Sequence, residues 1–390
     1  MDYPLTITAS AMREINRSAI LEIIRRESPI SRTAIAERLE VSLPTVMRIV
    51  DDLESEGFVR AQGASEWSGG RRRPLIEFNA EESVVLGIDL GGSNFYGAIS
   101  DLGGKVVDES SLPGKGIDAD GNYQQLLALI DTLLQSPKLE GKKIRGIGVG
   151  VPGPTAHKEG MVTWAPALNW RDFPLKEKLS AKYNLPLIVD NDMNLAALGE
   201  LWFGQGQNAR NLILITVTTG IGAGIIIDRT LYRGSSDSSG EIGNMLPGKE
   251  FLGRDFGAFG ALETRASISG LLERAREQYL LKEIRPEDIF RAANREEPFA
   301  SELVSEMEDL LAVAIINLIV LFDPDLILLC GALSQYSNYL YEPILTKIQS
   351  SVPKIPLIQV SRLDRKAVVM GAIANVLHNT SNFYFVRKLS

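Results

Sequence analysis

"SVVLGIDLGGSNFYGAISDLGGKVV", residues 83–107, places an apolar run on each side of Gly91 and Gly92 and closes the first run with Asp89. Apolar runs of this length bounded by glycine turns predict adjacent strands. Glycines in such a turn leave backbone N–H groups unobstructed, which is how a loop can cradle a phosphate. "NLILITVTTGIGAGIIID", residues 211–228, repeats the pattern of strand, glycine turn and strand. One such turn is a weak signal, because hairpins use glycine for geometry alone. Two of them, each opening one half of a domain, predict a nucleotide cleft between two α/β lobes, with Asp89 placed to hold a hydrated magnesium ion.

Between the two stretches, the helical pattern "YQQLLALIDTLLQ" (123–135) and the apolar run "IRGIGVGVPGP" (144–154) continue the alternation of strand and helix. The next run ends in "DNDMN" (190–194), at a strand-to-helix junction, where open α/β sheets bind ligands. Asn191 and Asp192 suit sugar hydroxyls, which both donate and accept. Helix capping by Asp190 and Asn191 explains the same cluster equally well.

Upstream, residues 16–63 read "NRSAILEIIRRESPISRTAIAERLEVSLPTVMRIVDDLESEGFVRAQG". Ile20, Ile23 and Ile24, then Ile35, Ala36 and Leu39, then Val46, Ile49, Val50 and Leu53 recur at helical spacing. Three short amphipathic helices are expected, with Ser31 and Ser42 as N-caps and a tight "EVS" turn between the second and third. Two strands joined by a basic loop, "SGGRRRP", complete the order of a winged helix-turn-helix over residues 1–80. Its third helix would carry Ser42, Leu43, Thr45 and Arg48 to a major groove, with Arg32 nearby, and Arg71, Arg72 and Arg73 to phosphates or a minor groove. Acidic residues between Asp51 and Glu56 work against a strongly basic footprint. A protein-binding module with a solvated arginine loop is the alternative.

The chain has 390 residues, a formal charge of -8, one cysteine (Cys330) and two histidines (His157 and His378). Its acidity argues against wholesale binding to nucleic acid, so any DNA contact is local. Lone Cys330 excludes an internal disulfide, and Cys and His together fall short of four zinc ligands. The longest apolar run, "LLAVAIINLIVLF" (310–322), is too short to span a bilayer, and "MDYPLTITAS" lacks the pattern of a secretion signal. A cytoplasmic protein without a membrane partner is expected.

The motifs "GIDLGGSN", "GVGVPGP", "PALNW", "DNDMNLAALGE", "TTGIGAG", "GEIGN", "GAFGALE", "DPDLILLCGALS" and "VVMGAIA" follow one another in the order seen in the ROK family, which the chain resembles along nearly its whole length. That family holds sugar kinases and sugar-responsive repressors of the NagC, Mlc and XylR type, and its repressors carry a winged helix-turn-helix that its kinases lack. The resemblance implies a two-lobed actin-like (ribonuclease H-like) ATPase fold, with residues 81–192 plus 363–390 as one lobe and 193–362 as the other. It implies a sugar site of Asn169, Asn191, Asp192, Glu241, Asn244 and Glu263. In a kinase the Asp192 position is the general base. A nucleotide would meet Asp89, Gly91, Gly92, Ser93, Thr219, Gly220, Gly222 and Gly331. Ser93-Asn94 replaces the kinases' Thr-Lys pair, Thr218 replaces a glycine and Ala332 the second residue of a Gly-Gly pair, so phosphate binding is expected to be weak.

Most ROK proteins bind a structural zinc through one His and three Cys. The matching positions here are Asn244, Arg254, Phe256 and Ala261. No structural zinc is therefore expected, and Phe251, Leu252, Phe256 and Phe259 are expected to pack in its stead. The implied function is a sugar-responsive transcriptional regulator, most simply a repressor, acting as a homodimer or homotetramer on a double-stranded operator with a xylose- or glucose-type effector. It would need no cofactor. The alternative is an active sugar kinase, dependent on Mg-ATP, with an appended DNA-binding head.

Overall fold

A computed structural model describes residues 9–62, 74–91, 94–114, 118–257, 259–279 and 283–380. The head opens with α1 (Ala9–Glu27), longer than its apolar periodicity suggests, followed by the short β1 (Ile30–Ser31), α2 (Arg32–Leu39) and α3 (Leu43–Ser55). Strands β2 (Val59–Gln62) and β3 (Leu75–Phe78) pair antiparallel, and β1 joins β3 on its other side. Ser31 Oγ accepts the Ala34 N–H at 3.2 Å and starts α2. Ser42 stands at the N-cap of α3, but its hydroxyl pairs with Thr45 Oγ1 at 2.8 Å and caps no backbone N–H. Ile20, Ile24, Ile35, Val46, Ile49, Val50 and Leu53 close the small core.

The large domain is built twice on one plan. Strands β4 (Ser83–Asp89), β5 (Asn94–Asp101) and β6 (Val106–Pro113) form an antiparallel meander, followed by α4 (Ala119–Leu134) and β7 (Lys143–Val151). A small sheet of β8 (Thr155–Ala156), β9 (Met161–Ala165) and β10 (Trp170–Phe173) intervenes before α5 (Leu175–Ser180), β11 (Leu187–Asn191) and α6 (Asp192–Phe203). The main sheet has the order β11-β7-β4-β5-β6. The second half repeats the meander with β12 (Leu212–Val217), β13 (Ile221–Ile227) and β14 (Thr230–Leu231). A helical insert of α7 (Glu263–Ala266), α8 (Ile268–Tyr279), α9 (Pro286–Asn294) and α10 (Pro298–Phe322) then leads to β15 (Leu326–Gly331). After α11 (Ala332–Gln335) and α12 (Ser337–Gln349), β16 (Leu357–Val360) completes the second sheet, β14-β13-β12-β15-β16, and α13 (Lys366–Thr380) follows.

Strand alternation explains the layering. Val84, Leu86 and Ile88 face α4, whereas Val85 and Gly87 face α13. In the second sheet Ile213, Ile215 and Val217 face the helical insert, and Leu212 and Leu214 face inward. Helices α6 and α13 lie against each other between the two sheets, α13 on β4 and β7, α6 on β12 and β13. Their approach depends on glycine: a Cβ at Gly199 would stand 2.1 Å from the Ala367 carbonyl oxygen, and one at Gly371 only 1.6 Å from that of Leu195.

The head docks on the domain through Arg145 of β7. Its Nε donates to Ser83 Oγ at 2.9 Å, another nitrogen bonds the Glu56 carbonyl, and its guanidinium lies 4.2 Å over the Phe58 ring. The end of α1 approaches α6, with Arg25 6.0 Å from the Trp202 ring. Among the described residues no helix is long and apolar enough to cross a membrane.

Candidate functional site

Strand β11 ends and α6 begins at "DNDMN", and each residue there takes a different task. Asn191 Oδ1 accepts the N–H groups of Met193 (2.9 Å) and Asn194 (3.1 Å), while its Nδ2 donates to the Gly153 carbonyl at 3.1 Å. Its side chain is therefore a helix cap, one of the two sequence readings. Fully buried Asp190 accepts the Asn191 N–H at 2.9 Å, caps no helical N–H, and is held in a two-point pair with Arg233 at 2.7 and 2.6 Å and by a bond from Asn375 Nδ2 at 3.0 Å. Arg233 and Asn375 had no sequence signal, because they come from a distant turn and the last helix. Asp192 faces the first glycine loop: a Cβ on Gly91 would lie 3.6 Å from Asp192 Oδ2.

Four carboxylates converge on this cleft. Burial, then the neighbouring charges of Asp89 and Glu241, push the Asp192 carboxyl well above the usual range. Burial raises Asp89 to about 6 against the opposing hydrogen bond from Gly91 N–H (2.7 Å). Glu241 is raised by burial and by Glu263, and Glu263 by burial. Desolvated carboxylates clustered at a strand-to-helix junction are suited to accept from several hydroxyls of one polyol.

The second glycine loop is bound to the same cluster. Glu263 Oε1 accepts Ile221 N–H at 3.2 Å and Oε2 accepts Gly260 N–H at 3.1 Å. A Cβ at Gly220 would fall 2.1 Å from Glu263 Oε1, and one at Gly222 would fall 2.9 Å from Met193 Cγ. Thr219 is exposed on that loop, and Gly331, at φ 66, lies against Thr218, whose methyl would stand 2.8 Å from a Cβ placed at Gly331. Gly92 and Ser93 lie outside the described residues. Asn244 ends a 3-10 turn, Ile242–Asn244, whose backbone touches Gly260, and Asn169 takes φ 55 after the 3-10 turn Pro166–Leu168.

The glycines of residues 240–263 bring backbone strands together. A Cβ at Gly260 would sit 2.0 Å from the Gly243 carbonyl oxygen, and one at Gly240 1.9 Å from that of Ala223. The expected four-residue apolar cluster forms only in part. Phe251 is buried and its ring centre is 5.9 Å from that of Phe256, but Leu252 and Phe259 are exposed. Arg254 and Arg265 instead lie 5.8 Å from the Phe251 ring. Cation–π contact costs an arginine less desolvation than full burial, which explains why the loop recruits it. Among the described residues no group of three or more His, Cys, Asp or Glu side chains is arranged to hold a metal ion.

In the head, the acidic run beside α3 is neutralised from below. Asp51 and Glu54 pair with Arg32, Asp52 with Arg13 and Glu56 with Arg17. Arg32 thus braces α2 against α3 instead of projecting with the recognition residues. Ser42, Leu43 and Arg48 are exposed on α3, Thr45 is half-buried, and the exposed Met47 joins that face, one turn from Leu43. Arg71, Arg72 and Arg73 lie outside the described residues.

A winged helix-turn-helix joined to a duplicated α/β domain whose halves enclose carboxylates defines a DNA-binding head on a two-lobed ligand domain of actin-like architecture. The chain belongs to the ROK family, whose model matches residues 85–379, and a winged helix-turn-helix DNA-binding model matches residues 13–60. It is 31% identical over 389 residues to a xylose repressor of Caldicellulosiruptor bescii, covering 95% of this chain and 98% of that one. It is 34% identical to a glucokinase of Halalkalibacterium halodurans over 66% of this chain and 83% of the enzyme. Among solved structures, a ROK family transcriptional regulator homologous to E. coli MLC superposes with a TM-score of 0.82 at 26% identity, covering 95% of this chain and 98% of that one.

Proposed function

We propose that the protein is a sugar-responsive transcriptional regulator, most simply a repressor, whose cleft binds a sugar through Asp192, Glu241 and Glu263, with Asn169 and Asn244 at its margins. The observation that carries this reading is the full-length likeness to the xylose repressor, which includes both the head and the ROK domain. A dimer is part of the proposal, because paired recognition helices must meet successive major grooves about 34 Å apart. The sugar must favour one arrangement of the heads over the other, since a ligand with equal affinity for both shifts nothing. The test is operator binding by the full chain with and without xylose, glucose and related sugars. A bound sugar that leaves operator affinity unchanged sinks the reading. Arg48→Ala is expected to weaken DNA binding and to lower the salt slope by about one.

The kinase reading is favoured by one observation, the approach of the Asp89 loop to Asp192 beside the second glycine loop. Under it Asp89 would hold the magnesium of Mg-ATP, and Asp192 would take the proton from the sugar hydroxyl. Sugar-dependent ADP formation that Asp192→Asn abolishes would establish it.

The chain is further proposed to hold no structural zinc. Amide, guanidinium, phenyl and methyl groups stand at the four matching positions, and none of them is a usual zinc ligand. Dialysis against a chelator should leave the melting temperature unchanged.

A further inference from the structure

A cavity of about 740 Å³ lies beside the β11–α6 junction, and none of the four cleft carboxylates is among its lining residues. Its walls come from both halves of the domain: β11, α6, β14 and α13, with the turn after β8 and the first turn of α5 at its mouth. Its volume falls within the ordinary range for small-molecule sites.

The charge of the lining sets it apart. Lys158, Lys176, Arg229 and Arg233 face it with a single carboxylate, Asp190, in a chain whose formal charge is -8. Both of the chain's histidines, His157 and His378, line it as well. Asp190 is matched by its two-point pair with Arg233 and by Asn375, and Asp237, 2.8 Å from His157 Nδ1, adds a second carboxylate beside the lining, so the excess positive charge comes from Lys158, Lys176 and Arg229. Arg229 donates to the carbonyls of Gln207 (2.7 Å) and Ala209 (3.0 Å), which orient it, and it feels the charges of Glu22, Arg25 and Arg26 at the end of α1. Among the described residues no carboxylate stands within ion-pair distance of Lys158 or Lys176, and Lys176 Nζ donates to the Lys158 carbonyl at 3.4 Å. Leu187, Leu198, Leu231 and the Trp202 ring supply an apolar floor.

We propose that this cavity is a second ligand site, distinct from the sugar cleft, and that it takes a small organic phosphate monoester. Several cationic donors from different elements around one cavity suit the three oxygens of a phosphate, and the apolar lining suits an organic body beside it. Trp202 and Arg229 also face the end of α1, where Arg25 lies over the Trp202 ring, so an occupant would touch residues that meet the head. Binding itself does not depend on the regulator reading.

Isothermal titration of the full chain without DNA tests the site, using inorganic phosphate, a hexose 6-phosphate and the parent hexose. The hexose phosphate is expected to bind the parent protein and the Asp192→Asn variant alike. Its affinity should fall at least tenfold in the Lys158→Glu, Lys176→Glu double variant, whose substitutions are half-exposed or at the surface and whose fold is checked by its melting curve. The parent hexose should be insensitive to the lysine changes. Loss of hexose phosphate binding on Asp192→Asn alone would place the phosphate ester in the cleft and overturn the proposal. So would binding of inorganic phosphate with no gain from the organic body, or absence of any phosphate binding at about 10 mM, a weak limit near 3 kcal/mol of binding energy.

Discussion

Glu263 accepts the Ile221 N–H at 3.2 Å and so ties the second glycine loop to the start of α7. Its other oxygen receives Gly260 N–H at 3.1 Å, leaving lone pairs on both oxygens for a ligand hydroxyl. Glu263→Ala should strand two backbone donors and cost about 1–3 kcal/mol for each that stays dry. Glu263→Gln, which keeps one acceptor, should lose less stability. Denaturant midpoints at constant slope will check the order of the three proteins.

Asp192 gives a prediction in pH. Its carboxyl is raised in the folded protein, so the native state binds a proton that the unfolded chain releases above about pH 3.9. Stability from this group is therefore present at low pH and declines as pH rises toward the folded value. Asp192→Asn should melt higher than the parent at pH 7, with the advantage shrinking as pH falls toward about 4. The same variant should bind sugar more weakly. Paired melting curves across pH, and one sugar titration, decide both points.

Gly371 permits the crossing of α6 and α13. A methyl there would meet the Leu195 carbonyl at 1.6 Å, so Gly371→Ala must push apart the helices that join the two sheets. Overpacking of this kind costs about 1–3 kcal/mol or more. A fall of several degrees in melting temperature is expected, whereas Gly141→Ala, with open space around it but φ 72, should show only modest backbone strain.

Arg145 holds the head by a stacked ring and a backbone carbonyl. Arg145→Ala should remove about 1–2 kcal/mol from that junction. Calorimetry should then resolve the head's melting from that of the large domain, and sugar should have less effect on DNA binding at equal sugar occupancy.

Much of this was legible in the sequence because it is local. The helical spacing of Ile20 with Ile24, of Ile35 with Leu39 and of Val46 with Val50, together with the paired glycine turns, carries the order of elements in the local pattern. Asp192 and Glu263 stand in motifs that the sequence shows on its face, and the lack of zinc-ligand side chains at residues 244, 254, 256 and 261 is a matter of residue identity alone.

What the sequence determined by itself, then, was the periodic pattern that makes each helix and strand, together with the side chains available at each motif. Tertiary structure decided where those side chains point and which charges share space. It made Asn191 a cap, turned Asp190 onto Arg233 and Asn375, set Arg32 against Asp51 and gathered both histidines with four cations around one cavity. The physical reason is range. Backbone preference and apolar periodicity act over a few residues, whereas ion pairing and desolvation depend on distances between segments far apart in the chain.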